Sequence, residues 1–405
     1  MVSEIKQVQD GSVTSPQGFF AGSVHAGLKT QGTDPLDLGV IFSDVSGNVA
    51  GTFTTNKVRS PSVILSEEHV RSGAAQAIFA NSGCANCCVG KQGLLDAKEI
   101  CQLISKKLSI NLEDVLVCST GMIGVELPMA LLRKGIESIS LDDNGGHEFA
   151  QAIMTTDIST KEFAVTFDIQ GENITLGGCA KGAGMVHPNM ATMLCFLTTD
   201  ASVESSFLTS VLKRAVGDSF NLISVDNDTS TNDSVLLLAN GAKGLPPIVE
   251  GTEEAEIFEK ALLIVCKELA KMVARDAEGA TKLIETTVDG AESLSDARLA
   301  ARSVVSSILV KTAVFGNDPN WGRVMMALGK SGANIEESKV SLYINDVCIM
   351  ESGLPIPFFK EAVTANMRKP EVKFQVQLNL GTESATAWGC DMSPEYVTFN
   401  SAYST

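Results

Sequence analysis

The stretch KGAGMVHPNMATML, from Lys181 to Leu194, decides how this chain is read, because it sets a glycine-rich loop against an apolar run. From Thr192 to Thr198 the residues have the apolar character of a buried strand. Gly182, Gly184 and Pro188 mark a tight turn ahead of it, since glycine reaches backbone conformations closed to other residues. On spacing alone this is an ordinary loop feeding a strand. A second reading gives Thr192 a chemical role. If the peptide between Ala191 and Thr192 breaks, Thr192 gains a free α-amine beside its own hydroxyl. An α-amine titrates near ~7.7–8, so part of it is neutral at working pH and accepts the hydroxyl proton. One residue then supplies both nucleophile and base. The same hydroxyl can make the break, by attacking the Ala191 carbonyl and shifting the peptide to an ester that water opens.

A hydroxyl nucleophile needs donors aimed at the oxyanion it creates, each worth roughly 3–4 kcal/mol. Cys118 to Gly124, CSTGMIG, leaves a strand and enters a glycine-containing turn. Such a turn can present the Gly121 amide and the Thr120 hydroxyl to a cleft; without Thr192 it reads as a plain strand end. Asn81 to Asn86, NSGCAN, is a second polar loop of the same kind. A conventional hydroxyl nucleophile wants a histidine base, and His187 is near in sequence. The free amine makes that base unnecessary, so His187 is read as structural.

Strand and helix signals alternate on both sides of this stretch, which predicts an α/β fold. Leu38 to Thr54 reads as a strand pair broken at Ser46-Gly47-Asn48. Leu94 to Leu108 is a one-sided helix, followed by a strand from Val115 to Ser119 and a helix opening at Pro128. Phe163, Val165, Phe167 and Ile169 alternate as a half-buried strand should. Helical patterns cover Val203–Ala215, Glu254–Ala274 and Ala297–Leu309. Ser341 to Met350 reads as a hairpin turning at Asn345-Asp346, and Val372 to Leu380 as a strand. With no low-complexity linker, two packed lobes are expected, 1–285 and 286–405, rather than independent modules.

Composition narrows the function. The 405 residues carry 31 basic and 48 acidic side chains, a net charge of −17. That balance repels nucleic-acid phosphates and anionic lipid at long range. Hydrophobic residues at 44% are enough for a substantial core. The ten cysteines are scattered through apolar stretches, unlike a disulfide scaffold, and suit a reducing cytoplasm. The start, MVSEIKQVQDGSVTS, lacks the apolar segment of a secretory signal, and no run is long enough to span a bilayer, so a soluble protein is expected. Cys84, Cys87 and Cys88 have no matching second cluster of ligands, which argues against structural zinc.

Together the segments resemble the glutamate/ornithine N-acetyltransferase family of arginine biosynthesis. The resemblance rests on KGAGMVHPNMATML and on VTSPQGFFAGSVHAGLK, AGTFTTN, CSTGMIG, IMTTDI, RDAEGATKLIE, GNDPNWGR and the terminal FNSAYST, in that family's order from end to end. It implies a layered α/β sandwich similar to N-terminal-nucleophile enzymes, with a smaller C-terminal α/β lobe. It implies cleavage after Ala191 into an α chain, 1–191, and a β chain, 192–405, and assembly of two of each. It implies Thr192 as nucleophile, Thr120 and Gly121 as the oxyanion hole, and substrate contacts at Thr155, Lys181, Thr192, Glu278, Asn400 and Thr405. The implied reaction moves acetyl from N2-acetyl-L-ornithine to L-glutamate through acetyl-Thr192, with acetyl-CoA as a further donor and no cofactor or metal. Lys181 suits a substrate carboxylate, and Glu278, among the small residues of AEGA, suits the ammonium of ornithine. Asn400 and Thr405 need a docked C-terminus to take part. This chain carries Cys84 and Ala183 where family members often have other residues. The rival readings are an amidohydrolase or aminopeptidase of the same architecture, and an unprocessed scaffold or sensor.

Overall fold

The computed structural model describes residues 4–29, 35–187 and 193–402. Among these residues the strands form two sheets, of nine and seven strands, in a mixed α/β architecture. The first sheet takes β1 (Lys6–Gln7), β2 (Phe19–Val24), β3 (Leu38–Phe53), β4 (Ala74–Cys84) and β5 (Val115–Met122). It continues with β6 (Lys161–Ile169), β7 (Glu172–Lys181) and β8 (Leu194–Thr199) and, after a two-residue strand of the other sheet (β9, Ile223–Ser224), with β10 (Ser234–Ala239). Its order is β1-β6-β7-β8-β10-β3-β4-β5, with β2 paired to β3. The second sheet adds β11 (Leu283–Ala291), β12 (Ser341–Ile344), β13 (Val347–Glu351), β14 (Leu354–Pro355), β15 (Glu371–Gln377) and β16 (Glu383–Cys390). Its order is β14-β13-β12-β15-β11-β16-β9, so β9 joins it from outside the last third of the chain. The lobe boundary expected at 285 falls inside β11.

Two features of the first sheet place the site. β7 and β8 are antiparallel neighbours with Lys181 opposite Leu194. β8 runs parallel to β10, with Leu194 opposite Ser234. Farther along the sheet, β4 and β5 are parallel, and Gly83 lies opposite Gly121 at their ends. Strand ends of a parallel pair are where a loop can turn its backbone toward a ligand.

The helices follow local rules. α1 (Pro61–Val70) starts with proline after Ser60, whose side chain accepts from the Ser62 amide. α2 (Gln92–Leu108), α3 (Met129–Ser138) and α4 (Gly146–Ala152) precede β6, and α5 (Ser205–Gly217) follows β8. α6 (Glu253–Arg275) is capped by Thr252, carries Glu253, Glu254 and Glu256 in its first turn and Arg275 in its last, which complements the helix dipole. Its buried residues recur from Ala255 through Phe258, Leu262, Val265 and Leu269 to Val273, and the helix packs on β6 and β7 of one sheet and β16 of the other. Phe258 meets Phe167 edge-on with ring centroids 6.3 Å apart, and truncating such a ring to alanine costs ~3–5 kcal/mol. α7 (Leu294–Ser306), α8 (Ile308–Phe315), α9 (Trp321–Gly329), α10 (Lys360–Asn366) and α11 (Pro394–Ala402) complete the chain. Among the described residues no helix is long and apolar enough to cross a membrane.

Two sequence expectations are corrected. The strand pair over Leu38–Thr54 is one strand, β3, which pairs with β2, β4 and β10. Gly47 is extended, and a Cβ there would sit 2.6 Å from the Ala239 carbonyl oxygen. It is a close-packing glycine rather than a turn. The helix expected over Ala297–Leu309 is two helices, α7 and α8, parted at Ser307, whose side chain caps the second. The expected hairpin holds: Asn345 and Asp346 have φ of 45° and 68°, the left-handed pair a two-residue turn needs.

Candidate active site

Thr120, Gly121, Thr155, Lys181, Glu278 and Asn400 line one cavity of about 760 Å³, its solvent mouth included. Five separate segments bring them there: the end of β5, the loop after α4, the end of β7, the loop after α6, and α11. Met193 and Leu194 line the same cavity. Ala191, Thr192 and Thr405 lie outside the described residues.

The turn at Thr120-Gly121 is set by a close approach. Gly121 has φ +124°, and a Cβ there would lie 2.4 Å from the Gly83 carbonyl carbon. The two loops that the sequence marks as polar strand ends are thus pressed together. Asn232 ties them, its side-chain nitrogen donating to the Ala85 carbonyl at 2.5 Å and the Ser119 carbonyl at 2.7 Å.

Lys181 is the cation of the cavity. Its Nζ donates to Thr155 Oγ1 at 2.7 Å and to Thr120 Oγ1 at 3.5 Å. Burial lowers its pKa, and Asp157 opposes that fall. Asp157 is a hub that the sequence reading missed. Its Oδ1 accepts from Lys161 Nζ at 2.6 Å and from the Gly182 amide at 2.7 Å, while Oδ2 accepts from the Thr155 amide at 2.9 Å. Burial alone would raise its pKa, but Lys181 and Lys161 outweigh that and hold the carboxyl well below the usual range. Asp157 is therefore a fixed anion that orients the backbone on both sides of Lys181.

Asp233, also missed, lines the cavity with a carboxyl of the opposite kind. Burial drives its pKa far up, with Ser230 and Lys181 pulling the other way. Its Oδ2 has no hydrogen-bond partner among the described residues. Such a carboxyl holds its proton to a higher pH than an exposed one.

Glu278 reaches the cavity because of glycine. A Cβ on Gly184 would stand 2.4 Å from its carboxylate, so the glycine-rich loop leaves the space the carboxylate fills. Asn400 Nδ2 donates to Glu278 Oε2 at 2.9 Å, and Tyr396 OH donates to Asp226 Oδ2 at 3.3 Å. These bonds dock α11, the helix that carries Asn400. Asp226 in turn accepts from the Met185 and Val186 amides at 2.6 and 2.9 Å. His187 is turned to Ser224 Oγ, 2.9 Å from its Nδ1, and does not line the cavity. Burial, with Arg302 and Lys311 nearby, lowers its pKa to about 4. It is neutral at physiological pH. Among the described residues no cluster could hold a metal ion.

A buried ammonium and a carboxylate facing one cavity suit a ligand carrying both charges, and the glycine turn beside them suits a reaction that builds negative charge on oxygen.

Comparison with known proteins adds four findings. The profile of the ArgJ family matches residues 20–405. The chain is 47% identical over 405 residues to the arginine biosynthesis bifunctional protein ArgJ of Dehalococcoides mccartyi, covering 100% of both chains. It is 46% identical over 405 residues to the protein of that name from Caldanaerobacter subterraneus, covering 98% of this chain and 100% of the other. The crystal structure of the arginine biosynthesis bifunctional protein ArgJ from Bacillus halodurans superposes with a TM-score of 0.50 at 39% identity, over 51% of this chain and 98% of that one.

Proposed function

The chain belongs to the ArgJ family, acetyltransferases of arginine biosynthesis, and from that premise we propose that it moves acetyl from N2-acetyl-L-ornithine to L-glutamate through an ester on Thr192. One observation carries the reading: residues from five distant segments, each matching a family motif, line a single cavity whose wall runs into Met193.

The chemistry follows from the groups present. Scission after Ala191 frees the Thr192 amine, which takes the proton of the Thr192 hydroxyl as that oxygen attacks the acetyl carbonyl. Thr120 and Gly121 stabilise the oxyanion. The tetrahedral species collapses, the C–N bond breaks, and the amine returns the proton to departing ornithine. The amine of glutamate then attacks the acetyl ester and releases the threonine hydroxyl. Lys181, steadied by Thr155, holds the ligand's carboxylate, and Glu278 with Asn400 holds the ornithine ammonium. Thr405 adds a contact from the tail. The bifunctional name of the relatives fits acetyl-CoA as a second donor to the same hydroxyl. We assign the enzyme to the cytoplasm, as two α and two β chains, with residues 1–285 the catalytic lobe and 286–405 a smaller lobe.

Assaying acetylornithine with and without glutamate tests the reaction, and denaturing electrophoresis tests the processing. The proposal expects acetylglutamate only when glutamate is present, and two fragments, the second beginning at Thr192. Acetate release independent of glutamate would make the enzyme a hydrolase, and full activity in an unbroken chain would remove Thr192 as nucleophile.

A further inference from the structure

A second concavity lies at the far end of β3. The end of β3, the following loop to Arg59, the end of α1 and one face of α5 enclose a groove of about 1550 Å³, its open mouth included. Its cations are Lys57, Arg59, Arg71 and Lys213, against one carboxylate, Glu67. Arg59 spends one guanidinium nitrogen on Glu67 at 2.7 Å, while no ion-pair partner for Lys57, Arg71 or Lys213 is found among the described residues. Such a concentration of positive charge is unexpected in a chain of net charge −17. Like charges gathered in a groove repel one another, and an anion relieves that repulsion.

The groove also holds donors that bond to nothing among the described residues. Thr52 is 3% exposed, and its hydroxyl is buried with no partner among the described residues. Arg59 Nε is likewise buried with no partner among the described residues. An unpaired buried donor is costly unless a ligand takes it up, so two in one basic groove point to an acceptor-rich occupant. Arginine and lysine together, with a threonine hydroxyl and room for a body of several hundred cubic ångströms, match phosphoryl oxygens on a molecule of nucleotide size.

We propose that this groove binds a nucleotide bearing two or more phosphates. The phosphates lie against Arg59, Arg71, Lys57 and Lys213, and Thr52 donates to one of their oxygens. The groove communicates with the catalytic cavity through a shared wall. Thr54 Oγ1 donates to the Ser230 carbonyl at 2.7 Å, the Thr54 amide to the Asp233 carbonyl at 3.0 Å, and Asn56 Nδ2 to the Thr229 carbonyl at 2.8 Å. Segment 230–233 is the part of that wall that lines the cavity. Occupancy of the groove thus bears directly on the position of Asn232 and Asp233. The site stands on its own residues and does not depend on Thr192 being the nucleophile.

Titration calorimetry of the processed enzyme with inorganic pyrophosphate, ADP and coenzyme A tests the assignment. Saturable binding of ADP that weakens as salt rises is expected, with at least a tenfold loss in the double variant Arg71→Glu, Lys213→Glu, whose positions are exposed. Thr52→Val should weaken binding severalfold without lowering thermal stability, because it removes an unpaired hydroxyl. Coenzyme A binding tenfold tighter than ADP would assign the groove to an acyl carrier, and equal affinities to a free nucleotide; both support the site. Absence of saturable binding by all three probes, binding indifferent to the charge reversals, or dissociation of the assembly by those reversals would overturn it. The last outcome would make the groove a face between copies of the chain. Since the readout is binding, its failure leaves acetyl transfer untouched.

Discussion

Replacing Gly121 by alanine tests the oxyanion turn, and Gly124→Ala supplies its control. Both glycines have positive φ, +124° and +81°, so each substitution strains the backbone by roughly 1–3 kcal/mol. They differ in what the new methyl meets. At Gly124 there is nothing within 4 Å, whereas at Gly121 the Cβ would stand 2.4 Å from the carbonyl carbon and 2.6 Å from the carbonyl oxygen of Gly83. Backbone cannot swing aside as a side chain can, so β4 and β5 must part at their ends and the Gly121 amide must move. Losing one oxyanion donor costs about 2.7–4 kcal/mol, or 10²–10³ in kcat. Gly121→Ala is therefore expected to lower kcat for acetyl transfer by ~10²–10³-fold, with the Gly124→Ala enzyme within about threefold of the parent and losing only stability. Stopped assays of acetylglutamate formation, with denaturant melts on the same samples, separate the two effects. If Gly121→Ala keeps kcat near that of Gly124→Ala, the turn does not hold the oxyanion.

Lys181→Met should cut kcat/KM for acetylornithine by roughly 30-fold or more, chiefly through KM, since a buried charge partner is worth ~2–5 kcal/mol; steady-state kinetics showing an unchanged KM would remove Lys181 from carboxylate binding. Ending the chain before Asn400 releases Glu278 from its 2.9 Å bond and opens the cavity, so acetate release should rise relative to transfer to glutamate, and unaltered partitioning would exclude the tail from closing the site. His187 titrates near 4 when folded, below its ordinary value of about 6.5, so the unfolded chain binds the extra proton first. Stability should fall as pH drops from about 6.5 toward 4, and His187→Asn should flatten that window in urea melts; an equal slope in the variant would show that other groups carry it.

Much of the fold was readable because the periodicities are strong. α6 declares itself by apolar residues every third or fourth position, and β6 by strict alternation. Gly47 misled because a glycine that admits a neighbouring strand looks, in sequence, like one that makes a turn. At the site, Thr120, Gly121, Thr155, Lys181, Glu278 and Asn400 were found through motif resemblance, and no local pattern announces that they meet. Asp157, Asn232 and Asp233 were missed for a physical reason. Most of their partners are far off in the chain: Asn232 bonds to Ala85 and Ser119, and Asp157, although Lys161 is four residues on, also answers Lys181 and the Gly182 amide. The one available clue was that a lysine closing a buried strand, as Lys181 does, requires a carboxylate nearby, and IMTTDI offered Asp157.

Mass spectrometry of the enzyme quenched during turnover of acetylornithine without glutamate tests the central claim most directly. Two fragments are expected, 1–191 and 192–405, with a single acetyl group on the second, located at the Thr192 side chain and discharged when glutamate is added. An unbroken chain of full activity, or an acetyl group on any other residue, would contradict the account.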